Sequence, residues 1–163
     1  MTLDRRALLG LGGVGTGGVL ALLWGGGSSG AAAETFQFRL SDAEWRRRLN
    51  PAQYATLRHA VTERAGSSPL DHEHRKGIYA CAGCALPLYS SATKFDSGTG
   101  WPSFWKPLPD AVRTTTDHDL IMERTEVHCR RCGGHLGHVF DDGPPPTHLR
   151  YCMNGIALRF VPA

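Results

Sequence analysis

RTEVHCRRCGGHLGHVF, residues 124–140, holds two stretches of alternating character on either side of a Cys-x-x-Cys turn. A period of two marks half-buried β-strands, so the stretch reads as two strands joined through Cys129 and Cys132. Glycine follows the second cysteine, the geometry of a knuckle whose backbone amides face two thiolates. The same character extends in both directions. From Lys76 onward GIYAC, LPLYSS, VRTTTD, LIMERTEVHC, HLGHVF and YCMNGIALRFV are short alternating segments broken by Gly, Pro and Asp. The fold is therefore expected to be mainly β, with antiparallel sheets forming a small barrel-like domain. KFDSGTGWPSFWKPLPD and FDDGPPPTHLR are read as long loops between the strands, where sites usually sit.

Upstream of the strands the signals are helical. Ser41 with Glu44 three residues on, and Asn50 with Pro51 and Gln53, are two N-terminal capping devices and predict two short helices. In the second, Tyr54, Leu57 and Val61 make one apolar stripe, with Gly66 as a stop.

The chain has 163 residues, with 20 Gly, 10 Pro and a formal net charge of +3. That composition favours one globular domain rich in turns and disfavours an electrostatic nucleic-acid binder. Asp110, Asp119, Asp141 and Asp142 interrupt any basic stripe. Residues 1–33 need a separate account, being Gly-rich, apolar and uncharged after Arg6. Arg5-Arg6, the apolar run from Ala7 to Trp24 and the small residues Ala31 to Ala33 resemble a twin-arginine export signal with cleavage before Glu34. An ordinary secretory signal and an uncleaved membrane anchor are the alternatives. The mature domain, residues 34–163, is then expected in the periplasm, or at the membrane if the signal is retained.

Four of the five cysteines form two Cys-x-x-Cys pairs, Cys81/Cys84 and Cys129/Cys132. Two such pairs suit one tetrahedral zinc, and their wide separation means that the ion staples two separate hairpins. Four sulfur ligands leave no open position, so this zinc is structural. Two disulfides, or one thioredoxin-like redox motif, are the competing readings.

Cys152 is left over. Alone it reads as a small buried hydrophobe, but Arg150 and Asn154 lie two residues to either side and on a strand share its face. His135 and His138 add two imidazoles, and Trp101, Phe104 and Trp105 in GTGWPSFW offer walls for a small apolar pocket. A nucleophile with a proton donor is plausible chemistry for such a set.

GIYACAGCALPLYSS, TKFDSGTGWPSFW, RTEVHCRRCGGHLGHVFDDGP and LRYCMNGIALRF, in that order, resemble the methionine sulfoxide reductase B family from about Leu40 to Phe160. The resemblance implies reduction of the R epimer of methionine sulfoxide in proteins, on a β fold with a four-cysteine zinc. It implies that Cys152 is the nucleophile, that Trp101 holds the substrate methyl group, and that Phe104 and Phe140 complete the substrate contacts. His135 and His138 then lie near the sulfoxide oxygen, and Arg150 and Asn154 support the cysteine. Thr99 stands where many members carry a resolving cysteine. An oxidised Cys152 would then be reduced by an outside thiol, such as thioredoxin, glutaredoxin or a small dithiol. A monomer is expected. The rival classes are a zinc-stapled binding module and a zinc hydrolase built on His135 and His138.

Overall fold

Ser41 and Asn50 each start a helix because their side chains accept the first orphan N–H groups. In the computed structural model, which describes residues 35–117 and 123–163, Glu44 N–H donates to Ser41 Oγ at 3.3 Å while Ser41 N–H donates to the Glu44 carboxylate at 2.8 Å. This capping box opens helix α1 (Asp42–Arg48). Asn50 and Gln53 repeat the device at the head of α2 (Pro51–His59), where Pro51 supplies a preset φ. Trp45, Leu49, Tyr54 and Leu57 turn inward and join the core.

The expected apolar stripe stops one turn early. Ala60 takes the left-handed conformation (φ 54°) and donates its N–H to the Thr56 carbonyl at 3.1 Å. Val61 is thereby thrown out of the helix and is 51% exposed. Gly66, expected as the stop, lies beyond the helix in a loop. The early turn matters because it directs residues 61–64 across the face that holds Cys152.

Nine strands follow among the described residues: β1 (Gly77–Cys81), β2 (Pro87–Ser90), β3 (Lys94–Phe95), β4 (Ser103–Phe104), β5 (Val112–Asp117), β6 (Arg124–Cys129), β7 (His135–Phe140), β8 (Arg150–Met153) and β9 (Leu158–Pro162). All pairings are antiparallel, and they make two sheets, ordered β2-β1-β9 and β3-β4-β8-β7-β6-β5. The antiparallel β architecture with short N-terminal helices is as expected. Two differences have local causes. YCMNGIALRFV is not one strand, because a 3-10 turn at Gly155–Ala157 carries the chain from the larger sheet to the smaller. The KFDSGTGWPSFW loop contributes β3 and β4, each only two residues long, which pair at the edge beside β8.

Tyr79 and Tyr89 of the small sheet enclose Phe104 of the large one. The Tyr89 and Phe104 rings stack at 4.3 Å and the Tyr79 ring meets Phe104 edge-on at 4.9 Å. Tyr89 Oη, fully buried, donates to Met153 Sδ at 3.1 Å, so its hydroxyl is satisfied inside the core. Each aromatic pair contributes about 0.5–1.5 kcal/mol beyond its burial. The expected export segment, residues 1–33, lies outside the described residues, as does Asp119. Among the described residues no helix is long and apolar enough to cross a membrane.

Candidate active site and metal centre

Register brings the sequence-predicted residues onto one face of the large sheet. Ser103 pairs with Cys152, Cys152 with His138, His138 with Glu126, and Glu126 with Thr115. Paired residues of neighbouring antiparallel strands share a face, so these five form a row across β4, β8, β7, β6 and β5. Two residues along, Arg150 pairs with Phe140 and Asp117 with Arg124 on that same face.

Strict alternation would put His135 and His138, three apart, on opposite faces. A β-bulge resolves this. His128 pairs with His135 and Val127 with Gly137, which leaves Leu136 as the extra residue. Leu136 turns its fully buried side chain to the core, and its carbonyl accepts both the backbone N–H (2.8 Å) and Nδ2 (3.1 Å) of Asn154. Gly137 is required beside it, because a Cβ there would lie 2.1 Å from the Cys152 carbonyl oxygen.

Each imidazole is held by a carboxylate. His138 Nε2 donates to Asp117 Oδ2 at 2.7 Å, and the same oxygen accepts from Arg124 Nη2 at 2.6 Å. His135 Nδ1 donates to Glu126 Oε1 at 2.6 Å, while Thr115 Oγ1 donates to Glu126 Oε2 at 3.0 Å. The two rings stand 5.5 Å apart. Burial pushes the His138 pKa below the ordinary histidine value, with Asp117 opposing and Arg124 and His135 adding to the shift. The His135 contact holds the Glu126 carboxyl below its usual range.

A cavity of about 130 Å³ lies over Cys152, walled by Trp101, His138, Phe140 and Asn154, with Thr62 and Arg124 at its edge. His135 does not line it. It borders an adjoining polar cavity of about 360 Å³ that shares Thr62, Arg124 and His138. Arg150 forks onto Asp142 with two 2.8 Å hydrogen bonds and lies 4.4 Å above the Phe140 ring. Asp142 first, and Cys152 after it, strengthen its hold on the guanidinium proton. A larger cavity of about 590 Å³, between the end of α2 and β9, contains no cysteine or histidine and is not where this chemistry resides.

Phe104 corrects the sequence reading. It is fully buried and stacks on Tyr89, on the opposite side of the sheet from Cys152. Its neighbour Ser103 pairs with Cys152, so the pleat sends Phe104 inward. Trp105 is absent from the walls as well; its carbonyl accepts from Thr147 Oγ1 at 2.6 Å. Thr99 is placed against the nucleophile candidate, with Oγ1 3.8 Å from Cys152 Sγ. Ser97 Oγ links Thr99 Oγ1 (2.8 Å) to Ser103 Oγ (2.7 Å). Asp117, Arg124, Glu126 and Glu63 were not singled out in the sequence. The i, i+2 spacing of Arg124 and Glu126 in β6 marks a polar strand face, whereas Glu63 carries no such signal.

The remaining cysteines meet at the junction of the two sheets. The first knuckle joins β1 to β2 and the second joins β6 to β7, and all four sulfurs lie within 4.8 Å of one another. Cys81 Sγ is 3.7 Å from Cys132 Sγ and Cys84 Sγ is 3.5 Å from Cys129 Sγ. An ion bound tetrahedrally at about 2.3 Å from sulfur needs S–S separations of about 3.8 Å, so the set can hold a metal. All five cysteines are unbridged. Matching residues close the two turns, Ala85 at φ 64° and Gly133 at φ 67°, and the Phe36 ring leaves no room for a Cβ on Gly133.

Three arginines cover the knuckles. Arg48 Nε donates to the Gly83 carbonyl (2.6 Å), Arg58 Nη1 to that of Cys132 (3.2 Å) and Arg131 Nη1 to that of Cys84 (3.2 Å). Arg48 and Arg131 each lie 5.4 Å from the Phe38 ring, and Arg58 lies 4.9 Å from that of Trp45. Four thiolates around a divalent ion carry a net charge of about −2, which these cations offset.

A family model described as the SelR domain matches residues 49–162. The peptide methionine sulfoxide reductase MsrB of Agrobacterium fabrum is 54% identical over 123 residues, covering 75% of this chain and 91% of that protein. Its namesake in Thiobacillus denitrificans is 55% identical over 123 residues, covering 75% and 93%. The MsrB of Methanosarcina barkeri is 52% identical over 121 residues, covering 74% and 85%.

Proposed function

From its membership of the methionine sulfoxide reductase B family, to which the chain belongs, we propose that this protein reduces the R epimer of methionine sulfoxide in proteins, with Cys152 as nucleophile. The observation that carries the reading is the placement of Cys152 at the floor of a small cavity between Trp101 and His138. A sulfoxide sulfur bears a methyl group, an oxygen and the rest of the side chain. With methyl against Trp101 and oxygen toward His138, only one epimer can present its sulfur to Cys152 while its chain leaves the cavity.

The Cys152 thiolate attacks the sulfoxide sulfur as an imidazolium gives its proton to the departing oxygen. The substrate S–O bond and the transient bond between the two sulfurs then break as the oxygen bonds to Cys152, which becomes a sulfenic acid, and methionine leaves reduced by two electrons. His138 is the donor because it lines the Cys152 cavity, whereas His135 stands behind it on Glu126. With Nε2 donating to Asp117, the other ring nitrogen carries a proton only in the imidazolium form. Two external thiols then return Cys152 to the thiol, releasing water and their own disulfide. Thioredoxin, glutaredoxin or a small dithiol would serve, since Thr99, a hydroxyl, occupies the position against Cys152 Sγ. Cys81, Cys84, Cys129 and Cys132 would hold a zinc ion whose contribution is to cross-link the two sheets.

The test is consumption of a racemic methionine sulfoxide peptide with dithiothreitol as reductant. Half of the substrate, all of it one epimer, should disappear; loss of both epimers or of neither overturns the reading. Action as an exported monomer is proposed from residues 1–33 and composition alone, and fractionation of expressing cells with sizing of the product decides it.

The lowered pKa of His138 makes the proton donor scarce at neutral pH. The single-turnover rate follows the product of the Cys152 thiolate and the His138 imidazolium, so one limb of its pH profile, within about pH 5 to 8, should be set by His138. Asp117 raises this pKa, so Asp117→Asn should move the limb to lower pH. A limb that stays in place in that variant would remove His138 from the role.

A further inference from the structure

Residues 61–65 are neither helix nor strand, and only Glu63 among them is tucked in; its four neighbours are exposed. This one residue makes four hydrogen bonds to the body of the protein. Its backbone N–H donates to Asn154 Oδ1 at 2.9 Å, and its carbonyl accepts from Trp101 Nε1 at 3.2 Å. Its carboxylate accepts from the N–H groups of Gly155 and Ile156, the latter at 3.0 Å.

Trp101 and Asn154 line the Cys152 cavity from different elements. Trp101 sits in the loop before β4, and Asn154 follows the last residue of β8. Glu63 bridges them through its own backbone, while its carboxylate pins that backbone to the turn leaving the Cys152 strand. We infer that Glu63 is a positioning residue that fixes the gap between Trp101 and the Cys152 strand, and thereby sets which alkyl group on the sulfoxide sulfur the site accepts. This rests on the proposed reduction for its substrate, and on hydrogen bonds alone for its geometry.

The carboxylate is held there against its own desolvation. Burial raises its pKa, and the two backbone N–H groups offset this only in part. A half-buried charge that gains little stability is more readily explained by what it positions.

Glu63→Gln keeps the size of the side chain but leaves one carbonyl oxygen for two N–H donors. In this variant of the mature, metal-loaded chain, hydrogen exchange at the Trp101 indole N–H should accelerate about tenfold, as expected for one weakened hydrogen bond. KM for a methionine sulfoxide peptide should rise about tenfold with a smaller change in kcat, since uniform binding is what is lost. The preference for methionine over ethionine sulfoxide should shrink by a similar factor. Unchanged indole exchange in the folded variant, or an unchanged methyl-to-ethyl ratio, overturns the inference. Should Glu63→Gln not fold, Glu63→Asp keeps the charge, withdraws it by one methylene and takes the same readouts. Indole exchange is read without turnover, so a chain that reduces no sulfoxide defeats the functional reading and leaves this one to its own measurement.

Discussion

Replacing Cys152 by serine is expected to lower sulfoxide reduction by about five to six orders of magnitude, to the background of free thiol, while the domain stays folded and metal-loaded. A hydroxyl at neutral pH is a far weaker nucleophile than a thiol, and nothing nearby replaces it. Thr99 Oγ1 is itself a hydroxyl, and the sulfurs of the other four cysteines are gathered at the sheet junction. The exchange is mild for the fold because Cys152 is only half-buried and lies outside the core cluster. Single-turnover reduction, thermal unfolding and metal content measured on one preparation check all three parts. Retained turnover within tenfold of the parent would overturn Cys152 as nucleophile.

The second large effect belongs to the other cysteines. Cys84→Ser is expected to leave the chain unfolded or insoluble at 37 °C. A structural zinc in a four-sulfur site is worth about 10–16 kcal/mol, as much as the roughly 5–15 kcal/mol of net stability of a whole domain. Here the loss would be felt in both sheets, since Cys84 stands between β1 and β2 while its sulfur neighbour Cys129 ends β6. Elemental analysis of the parent should find one equivalent of zinc, and a strong chelator should unfold it in one transition. Soluble, active Cys84→Ser protein holding far less than one equivalent of metal would show that the knuckles fold without an ion.

What could be read from the sequence was local or covalently patterned. Both capping boxes work over three residues, so Ser41 with Glu44 and Asn50 with Gln53 announce their helices without tertiary help. The Cys-x-x-Cys pairs set their own local geometry, and the i, i+2 spacing of Arg150 and Cys152 placed both on one face of β8. The misses are places where a longer contact overrides a short pattern. Val61 continues the α2 periodicity, but Ala60 turns left-handed and releases it. Phe104 looked like a pocket wall beside Trp101, yet a two-residue strand paired to β8 sends it to Tyr89 instead. Asp117, Glu126 and Glu63 act on residues 9 to 93 positions away, through bonds that no spacing rule records.

The bulge at Leu136 makes the segment between the two histidines sensitive to length more than to composition. Deleting Leu136 would give a regular strand that still shows both imidazoles on one face, so the site would look intact to an inspection of side chains alone. The same deletion would take away the carbonyl that receives both nitrogens of Asn154, and a leucine from the core. Substitution at this position is therefore graded by hydrophobic volume, while loss of the residue disconnects β7 from the residue that follows β8. Among descendants of this chain, position 136 should vary among apolar residues while Gly137 is kept and the interval from His135 to His138 stays constant in number.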